Sequence, residues 1–302
     1  NTTITVEPSD NSNISDLKPT GYIINPSAAN TTTTAYTNSI SFNTAHNTSN
    51  VTITSGTVTN VYGGNNEGGN TVNTHVTVNS RATNVFGGGN EAQTTGNTDV
   101  LVSNAQVTNV YGGGNAASVA ATDVKIYGGN KIGYVFGGGH GDKTTTPQLT
   151  ADVTGATSVN IYGGTVTANG GKYGAGIGTG DEASAGYRIN ISGGTVIANG
   201  GDEAAGIGGG NEVYGGAITI SGGTVTQTAN SNAQVYRLSM TVGGDLTVAS
   251  GATVTATGKG YSSGNYPAGS AVGVHGGSVN DLSKVYGDLK HPVDIGAGGG
   301  TA

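Results

Sequence analysis

A short apolar–polar–apolar triplet returns along most of the chain. It stands at Val51-Thr52-Ile53, Val76-Thr77-Val78, Val100-Leu101-Val102 and Val124-Lys125-Ile126. It continues at Val159-Asn160-Ile161, Ile189-Asn190-Ile191, Ile218-Thr219-Ile220 and Leu246-Thr247-Val248. In an extended backbone alternate residues face opposite sides. The outer members of each triplet therefore predict the buried face of a strand, and the mostly polar middle member its solvent face. The β-branched content, with glycine every few residues, argues against helix. Successive triplets start 25, 24, 24, 35, 30, 29 and 28 residues apart. A constant strand with excursions of variable length is how a solenoid grows, each coil burying its apolar side against its neighbours.

A second landmark follows each of the first four strands: Val61-Tyr62-Gly63-Gly64, Val85-Phe86-Gly87-Gly88, Val110-Tyr111-Gly112-Gly113 and Val135-Phe136-Gly137-Gly138. In later coils isoleucine is expected to replace the aromatic, at Gly176-Ile177-Gly178 and Gly206-Ile207-Gly208. Ser-Gly and Gly-Gly pairs, such as Ser55-Gly56 and Gly193-Gly194, supply corners whose backbone angles side chains would forbid. The fold class that follows is all-β: a right-handed parallel β-helix (β-solenoid) of about eight coils. Like residues then stack about 4.8 Å apart, the strand-pairing distance. A left-handed hexapeptide helix would keep a strict six-residue period, and none is seen. Residues 1–50 lack the repeat and read as an N-terminal cap or appended β segment, covering the edge that an open solenoid end exposes. Residues 51–257 hold the repeats, and 258–302 read as a degenerate last coil and C-terminal tail.

Composition sharpens this picture. Glycine fills 57 of 302 positions, more than twice the roughly 7% of ordinary chains. Without a period such a chain would read as disordered; the period makes it a repeat protein. The net charge is −7, with 11 Lys and Arg and no basic run. Nucleic acid and anionic membrane are therefore not expected partners, since both need clustered cations. No apolar run approaches the ~20 residues of a membrane span. Cysteine is absent, which removes disulfides and thiolate metal sites.

Stacking the glycine-rich landmarks puts Asn66, Asn90, Asn115, His140, Asp181 and Asn211 in one column. One reading is a structural ladder of side-chain amides at a tight turn. The other uses the acidic residues beside it. Glu91, Asp181, Glu182 and Glu212 offer oxygen ligands of the kind Ca²⁺ takes, so a structural Ca²⁺ is the one cofactor considered and otherwise none is expected. Thr-x-Thr ranks such as Thr57/Thr59 and Thr165/Thr167 give a regular outer face, interrupted at Arg81-Ala82-Thr83 and Gly133-Tyr134. Good β-propensity on a solvated face explains them, and a flat ice-matching surface tolerates such breaks poorly. The aromatic column Tyr62, Phe86, Tyr111, Phe136 is expected to stack in the interior. Tyr127, Tyr162, Tyr173, Tyr187, Tyr214, Tyr261 and Tyr266 lie near turns or excursions and are candidates for contact with a carbohydrate or protein. Tyr173, Tyr187, Tyr214 and His140 are the expected binding residues, with excursions 140–158 and 168–188 as the binding face.

Three short motifs, Asn97-Thr98-Asp99, Gly139-His140-Gly141 and Arg188-Ile189-Asn190, resemble local motifs of the polygalacturonase family in the right order. The adjacent carboxylate pair that should stand between the first two is missing, and that stretch holds only Asp123. Glycoside hydrolysis needs an acid and a carboxylate flanking the bond. The lyase route wants an Arg or Lys base, and the arginines Arg81, Arg188 and Arg237 fall on different coils. No catalytic residue is expected.

The runs Ile189-Asn190-Ile191-Ser192-Gly193-Gly194-Thr195-Val196 and Ala205-Gly206-Ile207-Gly208-Gly209-Gly210 resemble repeats of large bacterial cell-surface proteins, the pectin-lyase-like adhesin and carbohydrate-binding type. The resemblance covers about residues 51–277. It implies export and a role in attachment or display. The expectation is a non-catalytic extracellular protein, an adhesin or glycan-binding scaffold whose partner is a host or cell-surface glycan or protein. A carbohydrate-active β-helix enzyme is the alternative, and a filament subunit associating end to end is the third.

Overall fold

A computed structural model describes residues 4–8, 22–26, 46–54, 56–65, 71–141, 150–169, 175–179, 186–201, 204–210, 216–231 and 236–260. They form a parallel β-solenoid, and no helix occurs among them. The first sheet contains β1 (Ile4–Pro8), β3 (His46–Ile53), β5 (Thr71–Val78), β7 (Thr94–Val102) and β9 (Val119–Ile126). It continues in that order through β11 (Thr157–Ile161), β14 (Tyr187–Ile191), β17 (Gly216–Ile220) and β20 (Leu246–Val248). The second sheet runs β2 (Tyr22–Pro26), β4 (Thr57–Tyr62), β6 (Arg81–Phe86), β8 (Ala105–Tyr111) and β10 (Gly129–Phe136). Then come β12 (Thr165–Asn169), β15 (Thr195–Asn199), β18 (Thr224–Thr226) and β21 (Thr253–Val254). A short third ladder, β13 (Ile177–Gly178), β16 (Ile207–Gly208) and β19 (Met240–Thr241), branches from β10. The eight repeat triplets all lie in the first sheet, and each strand pairs only with the coil before and the coil after.

The core is a set of vertical columns. Ile53, Val78, Val102, Ile126, Ile161, Ile191 and Ile220 are successive Cα partners, each 0% exposed. From the second sheet, Val58, Ala82, Val107, Ile132, Val166, Val196 and Val225 form the facing column. Two antiparallel strands sit at the N-terminal end, β1 against β3 and β2 against β4. They occupy the edges that the first coil would otherwise leave free to pair with another chain. β3 reaches back to His46, so the first coil begins slightly before the expected boundary at residue 51. At the other end Leu246, Val248 and Val254 are 50%, 47% and 40% exposed. The last coil is open among the described residues, and 261–302 lie outside them.

The landmark columns need one correction. Ile177 does not replace the aromatic of earlier coils. It is registered on Val135, and Gly178 stands where Phe136 stood. The aromatic stack therefore ends at Phe136, and β13 continues only the valine column, through Ile207 to Met240. Upstream of that point Tyr62, Phe86, Tyr111 and Phe136 stack with centroids 4.9, 4.9 and 5.0 Å apart and nearly parallel rings. The first three are buried. Burial, then the neighbouring Tyr134, pushes the Tyr111 phenol up to about 12.

Beneath the stack, Thr74, Thr98 and Thr122 each donate a 2.5 Å hydrogen bond to the carbonyl of Gly87, Gly112 and Gly137 in turn. The landmark glycines are required by this closeness. A Cβ on Gly112 would lie 2.9 Å from Thr122 Cβ and inside the carbonyl of Gly137. At the corners the need is conformational: Gly164, Gly194 and Gly223 have φ of 84°, 79° and 74°, the left-handed region.

Candidate functional site

The glycine-rich corner column holds Asn90, Asn115 and His140 at equivalent positions. Backbone bonds from Asn115 N to Gly89 O (3.0 Å) and from His140 N to Gly114 O (2.9 Å) repeat one pattern. Asn115 Nδ2 donates to Asn90 Oδ1 at 2.8 Å, the contact expected of an amide ladder. His140 is exposed, and its ring meets Tyr111 edge-on at 5.2 Å and Phe86 at 6.3 Å. It closes the ladder against the rim of the aromatic stack. Asn66, Asp181 and Asn211 lie outside the described residues. So do Glu182 and Glu212, which leaves Glu91, an exposed side chain, as the described member of the calcium set. Among the described residues no group of three or more His, Asp or Glu is placed to hold a metal ion.

Of the expected binding tyrosines, Tyr173 and Tyr214 lie outside the described residues. Tyr187 is a correction: it is 4% exposed and belongs to the main core. It occupies the inward column of Thr122 and Thr157, and Gly216 lies opposite it in the next coil. A Cβ on Gly216 would strike the Tyr187 ring, so the small residue and the large one are a matched pair. The Tyr187 hydroxyl donates to the Thr241 carbonyl. The missed signal is strand phase, because Tyr187 alternates with Ile189 and Ile191 on the buried side.

Tyr127 and Tyr162 behave differently. They are 51% and 44% exposed, with centroids 4.6 Å apart and rings inclined by 14°. Each follows the last residue of a first-sheet strand, and their amides bond to Val102 O and Ile126 O. The same corner position is Ser103 one coil earlier and Ser192 one coil later, by the bonds Ser103 N to Val78 O and Ser192 N to Ile161 O. Large rings flanked by small hydroxyl residues stand proud of the surface. Each ring turns one face to its partner.

A polar network crosses the outer face of the first sheet. Parallel register places Asp123 directly over Asp99, one coil apart. Lys125 Nζ lies 2.8 Å from Asp99 Oδ1 and 3.0 Å from Asp123 Oδ2. His75 Nδ1 is 3.3 Å from Asp99 Oδ2. Asn160 donates to Asp123 at 2.7 Å, and Asn190 donates to Asn160 at 2.7 Å. The carboxylate pair not found in the linear sequence thus exists across coils. Lys125 bridges the two carboxylates, one from each coil. Partial burial works to lower the Lys125 pKa, but the bonds to Asp99 and Asp123 outweigh it and the net shift is upward.

Among known families, one described as Beta helix repeat matches residues 159–181, 189–211 and 218–233. The three matches begin at Val159, Ile189 and Ile218, which are Cα partners in successive coils. Family pattern and strand register therefore agree on one repeat phase, and the chain is a parallel β-helix protein. No curated protein and no solved structure matches the chain.

Proposed function

We propose that this β-solenoid is a non-catalytic extracellular surface protein of adhesin type, and that it binds glycans at the Tyr127–Tyr162 corner. The observation that carries the reading is two large aromatic rings held stacked in solvent by rigid strands. Pyranose rings carry faces of C–H bonds with slight positive charge, which suit the negative face of an aromatic ring. Ser103 and Ser192, at the same corner position in the flanking coils, offer hydroxyls as partners for a sugar held on the rings. Because the backbone under both rings is fixed in the sheet ladder, little ordering cost falls on binding. The acidic chain with no basic run fits a glycan or protein partner and disfavours nucleic acid.

A carbohydrate-active enzyme is the second reading, and Asp99 and Asp123 are the observation in its favour. It predicts new reducing ends or unsaturated products when the protein is incubated with polysaccharides. The position of Lys125 is the reason to prefer binding over chemistry.

The test is a glycan array followed by calorimetric titration of the best ligand. Covering ~80 Å² of one ring contributes about 2 kcal/mol at ~25 cal/mol per Å². Tyr162→Ala is therefore expected to weaken binding by at least about tenfold, with the circular dichroism spectrum unchanged because the ring is a surface group. An array silent throughout, or a Tyr162→Ala protein that binds as well as the parent, would overturn this reading.

A further inference from the structure

A groove of about 290 Å³ crosses the outer face of the second sheet, lined chiefly by Arg81, Thr83, Gln106, Thr108 and Gly133. Its origin can be read from the chain. Thr83, Thr108 and Gly133 succeed one another in an outward column, between the paired columns Ala82–Val107–Ile132 and Asn84–Asn109–Tyr134. A Cβ on Gly133 would collide with the Thr108 backbone, so this position is confined to glycine and the threonine rank opens into a depression. The bulge between Gly129 and Lys131 bends β10 at the same place. The interruptions at Arg81 and Gly133, which broke the Thr-x-Thr face in the sequence, are thus the two edges of one concavity.

The lining is rich in donors. Arg81, Gln106, Thr83 and Thr108 are all exposed. They present a guanidinium fork, a carboxamide and two hydroxyls. Among the described residues that line the groove, Arg81 is the charged one and none is a carboxylate, in a chain whose net charge is −7. A planar guanidinium open to solvent matches a carboxylate or sulfate group through two parallel N–H···O bonds. The volume lies at the lower limit of small-molecule sites, ~300–1,000 Å³, which suits one ring rather than a chain. Along the chain the groove follows the tyrosine corner: Gln106 lies three residues beyond Ser103, whose column neighbour is Tyr127.

We propose that this groove is a subsite for a sugar residue bearing a carboxylate or a sulfate ester, with the neighbouring residues of the same glycan on Tyr127 and Tyr162. This rests on the glycan-binding reading and adds charge selectivity to it. The hydroxyls of Thr83 and Thr108 and the amide of Gln106 take the ring substituents, and Arg81 takes the anion.

The experiment is an array that compares lactose with 3′-sulfolactose, which adds one sulfate ester, and with 3′-sialyllactose, which adds a carboxylate-bearing sugar, read with the full chain and with Arg81→Gln and Tyr162→Ala. The anionic member of a pair is expected to bind about tenfold more tightly than the neutral one. Half-molar salt should shrink that advantage, because Arg81 is solvent-exposed. Arg81→Gln should bring the anionic member down to the affinity of the neutral one and so abolish the preference, and Tyr162→Ala should weaken both members alike. The sialylated and sulfated arms separate a carboxylate from a sulfate ligand. Equal binding of neutral and anionic glycans, or a preference that survives Arg81→Gln, overturns the subsite and leaves the tyrosine platform standing. Silence with every glycan removes both.

Discussion

Buried threonines of this solenoid do two different jobs, and only their surroundings tell them apart. Thr98 gives its hydroxyl to the Gly112 carbonyl. Thr94 is equally buried, but among the described residues its hydroxyl has no hydrogen-bond partner. It stacks between Thr71 and Val119, in a column where a methyl in place of the hydroxyl already occurs. Thr98→Val leaves a buried carbonyl unpaired and is expected to cost about 1–3 kcal/mol, whereas Thr94→Val removes an unpaired polar atom and is neutral or stabilising. Urea denaturation of the two variants side by side measures the difference. If both lose the same stability, the hydroxyl bond to Gly112 is not what the threonine contributes. Tyr187 teaches the same lesson at larger size. Its sequence neighbourhood resembled a surface excursion, while its place in the threonine column, over Gly216, makes it a core residue.

At the level of strands, stability is distributed through ladders that run along the rod. Asn84 donates to Asn60 and Asn109 donates to Asn84, both at 2.7 Å, a vertical amide chain on the second sheet. The first sheet carries the mixed chain from His75 to Asn190. Lys125 is its only cation apart from any charge on His75, and it holds two carboxylates one coil apart. Lys125→Met leaves those carboxylates facing each other and is expected to lower stability at neutral pH. The sign follows from the raised lysine pKa. The stabilisation is complete below the unfolded value of 10.5 and is lost as pH rises through the higher folded value. Melting temperatures of parent and variant should therefore differ by a constant amount through the neutral range and converge as pH rises past the raised lysine value. A gap that persists undiminished at high pH would assign the effect to packing of the lysine stem.

Much of this second level was legible in advance. The interval of 24 residues between the triplets at Val100 and Val124 also carries Asp99 onto Asp123. The interval of 35 between Val124 and Val159 likewise carries Tyr127 onto Tyr162. The repeat length, applied to every residue rather than to the apolar ones alone, finds both the ion cluster and the aromatic platform. The aromatic landmark was misplaced for the opposite reason. The strand register pairs Ile177 with Val135 rather than with Phe136, and glycine-rich strings look alike in either register.

For the whole molecule, the coil is the unit that can be added or removed. Because strand pairing runs only between successive coils, excising one complete turn leaves the remaining strands in phase. Deleting residues 77–100 joins Val76 to Leu101, and Val76 then stands where Val100 stood. The shortened chain is expected to stay soluble with an all-β circular dichroism spectrum and a lower melting temperature. Deleting 77–99, one residue fewer, turns the inward side chains of the joined strand outward and should aggregate. Size-exclusion chromatography of the two proteins is the comparison. Equal behaviour would mean that strand phase does not govern the rod.

By itself the sequence determined the class of fold, the strand positions and the repeat period, because a two-residue alternation inside a regular longer repeat admits one economical burial of its apolar side. Only the tertiary structure decided which way Tyr187 points, that Lys125 bridges Asp99 and Asp123, and that Arg81 and Gly133 border one groove. Those facts depend on contacts between coils and on a bulge in β10, where neighbours in space lie a full turn apart along the chain.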